Sequence, residues 1–123
     1  MKDFVLPHHH DNNSADMTPI LGQLSRTEDF RTIADAFKIL GDSSRVRIFW
    51  LLCHCEECVT NISAMVDMSS PAVSHHLRQL KAGGLIVSRR SGKEVYYKAA
   101  DTEESSLLHA MIEKVMMIAC PHD

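Results

Sequence analysis

Phe30, Ile33, Ala34 and Phe37 recur at the spacing of one helix face. Ser25-Arg26-Thr27-Glu28 ahead of them fits a capping box, and Gly41 stops the helix. Asp42 or Ser43 caps the next one, whose face carries Val46, Phe49, Trp50 and Cys53. Ile48, Leu51 and Leu52 lie elsewhere on it, so it is apolar nearly all round and reads as the central buried helix. After "HCEEC" comes a short helix capped near Thr60, with Ile62, Met65 and Val66 inward. Ser69-Ser70-Pro71 is then a start signal, with Ser70 as cap and Pro71 at the first helical position, where its missing N–H costs nothing. Val73, Leu77 and Leu80 form the buried stripe of this helix, and Gly83-Gly84 ends it.

The pattern changes after Gly84. The β-rich runs "LIVSRR" and "KEVYY" flank Ser91-Gly92 and read as a hairpin. Asp101 opens a last helix with Leu107, Leu108, Met111, Ile112, Val115 and Ile118. That stripe is wide for the end of a small domain, and a second copy is the simplest cover for it. Upstream, Thr18 to Leu24 fits a short helix with Thr18 as cap and Pro19 in its first turn.

A short helix and a capped helix joined by the tight "DMSS" turn, followed by a hairpin, is the winged helix-turn-helix pattern. The predicted fold is mainly α with a β-hairpin wing and a helical dimer interface. Residues 1–16, polar and His-rich, read as a flexible arm; residues 17–119 as the DNA-binding and dimerisation domain; residues 120–123 as a tail.

The 123 residues allow one domain with a modest core. No apolar run approaches the roughly 20 residues of a membrane span, and the N-terminus does not resemble a secretory signal. A cytoplasmic protein is expected, with no membrane partner. The net charge is −3, which by itself argues against a nucleic-acid ligand. The distribution reverses that: Met68 to Lys93 holds Arg78, Lys81, Arg89, Arg90 and Lys93 and no Asp or Glu. A locally basic stripe is the footprint that phosphate contact needs.

"LGDSSRVRIFWLL", "ECVTNISAMVDMSSPAVSHHLRQLKAGGLIVSRRSGKEVYYKA" and "DTE" at the start of the last helix resemble the ArsR/SmtB family of bacterial metal-responsive repressors. The resemblance covers residues 28–117. It implies a homodimer built by the first and last helices, two recognition helices, and release of DNA on binding an inducer. It also implies DNA contact at Ser74 and His75.

On the capped helix, the face opposite Val73, Leu77 and Leu80 carries Ala72, His75, Arg78 and Gln79, flanked by Ser74 and His76. Small and hydrogen-bonding side chains near a helix N-terminus suit major-groove base edges. Gln79 can pair with adenine, and Arg78 with guanine or phosphate. Arg89, Arg90 and Lys93 near the wing tip suit phosphates or the minor groove. Ser70 is a further candidate, although capping alone explains it. The partner is a double-stranded operator with an inverted repeat.

Cys53, Cys55 and Cys58 cluster, with Cys120 far away. In a cytosolic chain such a cluster indicates metal or redox chemistry rather than structural disulfides. The resemblance implies two thiolates from "C-V-C-D" at the start of the third helix of the family fold. Here that frame reads Cys58-Val59-Thr60-Asn61, so one is replaced by Thr60. Cys55, three residues before Cys58, offers a substitute, because C-x-x-C spacing lets two thiolates share one soft metal. Cys53 is either a third sulfur or part of the core.

Relatives complete this site from the partner's N-terminal arm, where His8, His9, His10 and Asp11 stand here. Cys120 and His122 form another candidate cluster. The family's other site, across the last helices, is degraded: Asp101 and Glu103 are followed by Lys114 and Met117 at the later ligand positions. His109 and Glu113, one turn apart, read as a metal pair or a plain surface pair. The expected inducer is Zn(II) or Cd(II), since thiolates select soft and borderline ions. The alternative is a thiol redox or persulfide sensor on the same fold. No nucleophile, base and orienting group stand together, so an enzyme is not expected.

Overall fold

The computed structural model describes residues 6–8 and 16–122. The chain divides into two compact units, Met1–Asp35 and Ala36–Asp123.

The first unit contains α1 (Thr18–Leu24) and most of α2 (Thr27–Ile39). The expected caps sit elsewhere. Thr18 lies inside α1, and the Asp16 carboxylate accepts its backbone N–H at 3.0 Å. Ser25 does not open α2: its hydroxyl donates to the Gly22 carbonyl at the end of α1, 2.7 Å away. Ile20, Leu24, Phe30 and Ile33 are exposed.

The second unit holds α3 (Ser43–Leu52), β1 (Glu57–Cys58), α4 (Val59–Val66), α5 (Ser70–Ala82), β2 (Ile86–Ser91), β3 (Glu94–Ala99) and α6 (Glu103–Ala119). Asp42 caps α3 by accepting the Arg45 N–H at 3.1 Å. Ile48, Phe49 and Leu52 of α3 are buried against Ile62 and Val66 of α4 and Val73, Leu77 and Leu80 of α5. This is the central helix the sequence indicates.

Two starts are shifted from expectation. Cys58, not Thr60, stands at the N-cap of α4 and makes no side-chain cap. Ser69, not Ser70, caps α5, accepting the Ala72 N–H at 3.3 Å, while the Ser70 hydroxyl meets Ser63 of α4 at 3.2 Å. Met65 points outward and is 53% exposed rather than inward. Between α4 and α5, Asp67 takes a left-handed conformation (φ 55°), which lets the chain reverse in a few residues.

The hairpin turns at Gly92-Lys93, one residue later than expected, with Ser91 opposite Glu94 and Gly92 at φ 64°. A third strand is present that the sequence does not announce: β1 pairs antiparallel with β3, Glu57 opposite Tyr97 and Cys58 opposite Tyr96, giving the order β1-β3-β2. The last helix also starts later than expected: Thr102, not Asp101, caps α6, and Ser105, buried beneath it, donates to the Leu85 carbonyl at 2.9 Å. No described helix is long and apolar enough to cross a membrane.

Candidate DNA interface

The α4–α5 pair and the hairpin place most of the nominated side chains as the pattern requires. With Val73, Leu77 and Leu80 committed to the core, the opposite face of α5 exposes His75, Arg78 and Gln79, and Ala72 and Ser74 are half-buried beside them. No carboxylate of the described residues pairs with Arg78, Lys81, Arg90 or Lys93, so their charge is available to an anionic ligand. His76 is turned inward: its Nδ1 is shut off from solvent. It lies near enough to help the Arg45 backbone N–H, the main cause, hold the Asp42 carboxyl below its ordinary value. Ser70 is tied to Ser63 inside the helix-turn-helix.

Arg89 departs from expectation. Its guanidinium makes a two-pronged ion pair with Glu56 and sits 5.0 Å over the Tyr96 ring. The pair holds the Glu56 carboxyl below its ordinary value, with Arg89 hydrogen bonding as the main cause. Arg89 therefore braces the root of the wing, whereas Arg90, its neighbour on the opposite face of β2, is unpaired among the described residues. The partner escapes sequence reading because it lies 33 residues away.

The cysteines are less convergent than their spacing suggests. Among the described residues, Cys53, Cys55 and Cys58 do not form a metal-sized group of three ligand atoms. Cys58 is buried at 7% exposure. Cys55 donates weakly to the Leu51 carbonyl. Burial first, and the Glu113 carboxylate second, push the Cys53 thiol up to about 11. Burial likewise raises Cys55. Cys120 is exposed, His8 is exposed, and His10 lies outside the described residues. The trio that does converge is His54, His109 and Glu113. The sequence offers His109 and Glu113 as a pair, whereas His54, between two cysteines in "CHC", carries no helical spacing that would join it to them.

The family profile described as "Bacterial regulatory protein, arsR family" matches residues 42–88. The chain is 36% identical over 83 residues to an arsenic resistance transcriptional regulator, ArsR2, of Pseudomonas putida, spanning 67% of this chain and 71% of that one. It is 40% identical over 75 residues to a transcriptional repressor SmtB homolog of Synechocystis, spanning 61% and 57%. It is 41% identical over 70 residues to a cadmium resistance regulatory protein, CadC, of Listeria innocua, spanning 56% and 59%. The chain thus spans less than two thirds of the length of the SmtB homolog and of CadC. Among solved structures, a homodimeric winged helix-turn-helix DNA-binding domain from Mycobacterium bovis superposes with a TM-score of 0.69 at 30% identity, over 80% of this chain and 90% of that one. The fold is a winged helix-turn-helix, and the chain belongs to the arsR family of bacterial regulatory proteins.

Proposed function

We propose that the protein is a homodimeric DNA-binding repressor of the cytoplasm that leaves its operator when a thiophilic cation of the Zn(II) or Cd(II) type binds. One observation carries the DNA-binding part: the exposed face of α5 presents His75, Arg78 and Gln79 beside a wing whose Arg90 and Lys93 are unpaired among the described residues. The homodimer is supported by the exposed apolar side chains of α6 and by the homodimeric neighbour. Two recognition helices related by a two-fold axis read an inverted repeat with half-sites about 34 Å apart.

The metal response is supported by the cadmium and arsenic resistance named in the relatives and by the position of Cys58. That residue stands at the N-cap of α4, and α4 packs on α5. A cation held by Cys58 and Cys55 acts one helix away from the DNA. Its remaining ligands would come from a second copy or from residues 9–15. The cation weakens DNA binding only as far as it prefers the low-affinity conformation; a coupling of about 1–3 kcal/mol gives roughly 5- to 150-fold release. A thiol switch on the same cysteines is the weaker reading, because the relatives' names carry resistance to cadmium and arsenic.

The test uses a duplex selected from a random pool, with metal titrated under reducing conditions. Cys58→Ser keeps metal-free binding and loses release by Cd(II) or Zn(II). Release that persists in Cys58→Ser refutes the cysteine assignment, and release by a persulfide donor in place of metal establishes the thiol reading.

The wing separates by residue. Arg90→Ala weakens binding to specific and random duplexes alike and lowers the salt slope by about one unit per phosphate contact, about two in a dimer. Arg89→Ala, removing a side chain already held by Glu56, changes the slope less. Equal slopes for wild type and Arg90→Ala would take the wing tip out of the interface.

A further inference from the structure

Two histidines and a carboxylate that the DNA-binding reading does not use meet between the end of α3 and the middle of α6. His109 and Glu113 stand one turn apart on α6, and His54 follows α3. His109 Nε2 lies 3.2 Å from His54 Nε2 and 3.1 Å from Glu113 Oε1, and His54 Nε2 lies 3.4 Å from the same oxygen. In a tetrahedral site with metal–ligand distances of about 2.0–2.1 Å, ligand atoms stand roughly 3.3–3.4 Å apart. The triangle is therefore close to the size of one face of such a site.

Hydrogen bonding alone does not account for it. A neutral imidazole Nε2 carries at most one hydrogen, aimed along one line, so three mutually touching atoms cannot all be served pairwise. A cation over their centre meets three lone pairs at once. The carboxylate also has the outer partner expected of a metal ligand: Trp50 Nε1 donates to Glu113 Oε1 at 3.0 Å. The Trp50 ring lies against His54, with centroids 4.4 Å apart. That indole is the main cause holding the Glu113 carboxyl below its ordinary value, with His109 and His54 adding to it. The side chains of His54 and Glu113 are 45% and 44% exposed, which leaves a path for the ion and a fourth position for water.

We propose that His54, His109 and Glu113 form a binding site for a first-row divalent cation of the Zn(II) type, separate from Cys55 and Cys58 and complete within one chain. Two nitrogens and one oxygen, with no sulfur, select borderline ions over soft ones. A cation there ties the end of α3 to α6, fixing the direction of the helix that bears the exposed apolar face against the body that bears α5.

The test uses the full chain without DNA, in a Cys55→Ser/Cys58→Ser background under reducing conditions. Zn(II) is titrated against the fluorescence of Trp50, the single tryptophan, and Co(II) against its visible ligand-field absorption. The expected result is one cation per chain, a change in Trp50 emission, and a Co(II) spectrum without a sulfur charge-transfer band. His54→Gln and His109→Gln each weaken binding at least about tenfold, the low end of the loss for even an outer partner. Both positions are partly exposed, and circular dichroism of the metal-free variants checks that they fold. Trp50 emission indifferent to Zn(II), or affinity that survives both substitutions, overturns the proposal. Because no DNA is present, failure of operator release leaves this result standing, and the reverse holds too.

Discussion

Met111→Glu leaves a folded monomer whose affinity for an inverted-repeat operator is about 10²- to 10⁴-fold lower than wild type. Leu107, Met111, Val115, Met116, Met117 and Ile118 of α6 are all exposed in the single chain. Met111, Val115 and Met116 also line an apolar groove of about 830 Å³ with Phe37, Trp50 and Met65. A face of this kind rarely stays open to water. Placing a carboxylate in its middle puts an unpaired charge where the second copy must bury it, which costs far more than the lost methionine contact. The fold keeps its core, since Met111 is not part of it. What is lost is avidity, because the second head no longer binds as an intramolecular event. Sedimentation velocity with a parallel titration on a two-half-site and a one-half-site duplex checks this. A variant that stays dimeric, or a monomer that binds the full operator as wild type does, refutes the dimer face.

Phe49→Ala destabilises the protein by about 3–5 kcal/mol, the loss expected for emptying a fully buried aromatic site. Phe49 has no exposed surface and belongs to the cluster where α3, α4 and α5 meet. A domain of this kind holds only about 5–15 kcal/mol in total, so much of its stability goes with one side chain. At a chain of this length each kcal/mol moves Tm by roughly 3–5 °C, and the variant melts some 10–20 °C earlier at the same protein concentration. Val87→Ala, at an outward position of β2, is the control and shifts Tm by a few degrees at most. Thermal melts followed by circular dichroism decide it. A Phe49→Ala melt within a few degrees of wild type would displace the core from where these helices put it.

Much of this architecture is legible in the chain, for a reason that also marks where legibility ends. Val73, Leu77 and Leu80 and the α3 positions announce themselves because a helix buries one face at a fixed period. Caps are less determinate. Ser69 and Ser70 both precede Pro71 and both offer a hydroxyl, and only the backbone of α5 decides that Ser69 does the capping. Met65 follows the inward period of Ile62, yet α4 is too short to bury a whole face. β1 could not be read at all: two residues carry no alternation, and Glu57–Cys58 becomes a strand because the edge of β3 has backbone groups to pair. The Glu56–Arg89 pair and the meeting of His54 with His109 and Glu113 are tertiary events across 33 and 55 or more residues. Residue type alone marked Arg89 as a phosphate contact; geometry makes it a brace.

The pairing of β1 with β3 ties the hairpin directly to Cys58. Cys58 is in register with Tyr96, and the next residue after it opens α4. Arg89 grips Glu56 on one side of that joint and lies over Tyr96 on the other. The cysteine, the start of the helix-turn-helix and the wing thus meet at one joint of the backbone. From Tyr96 to Lys93 at the turn is three residues of strand, an arm of about 10 Å at roughly 3.3 Å per residue. A 10° tilt of β1 carries the tip through about 2 Å on such an arm, more than half the reach of a hydrogen bond to a phosphate. A tilt at a buried thiol with almost no surface of its own would in this way be felt most at the turn of the hairpin.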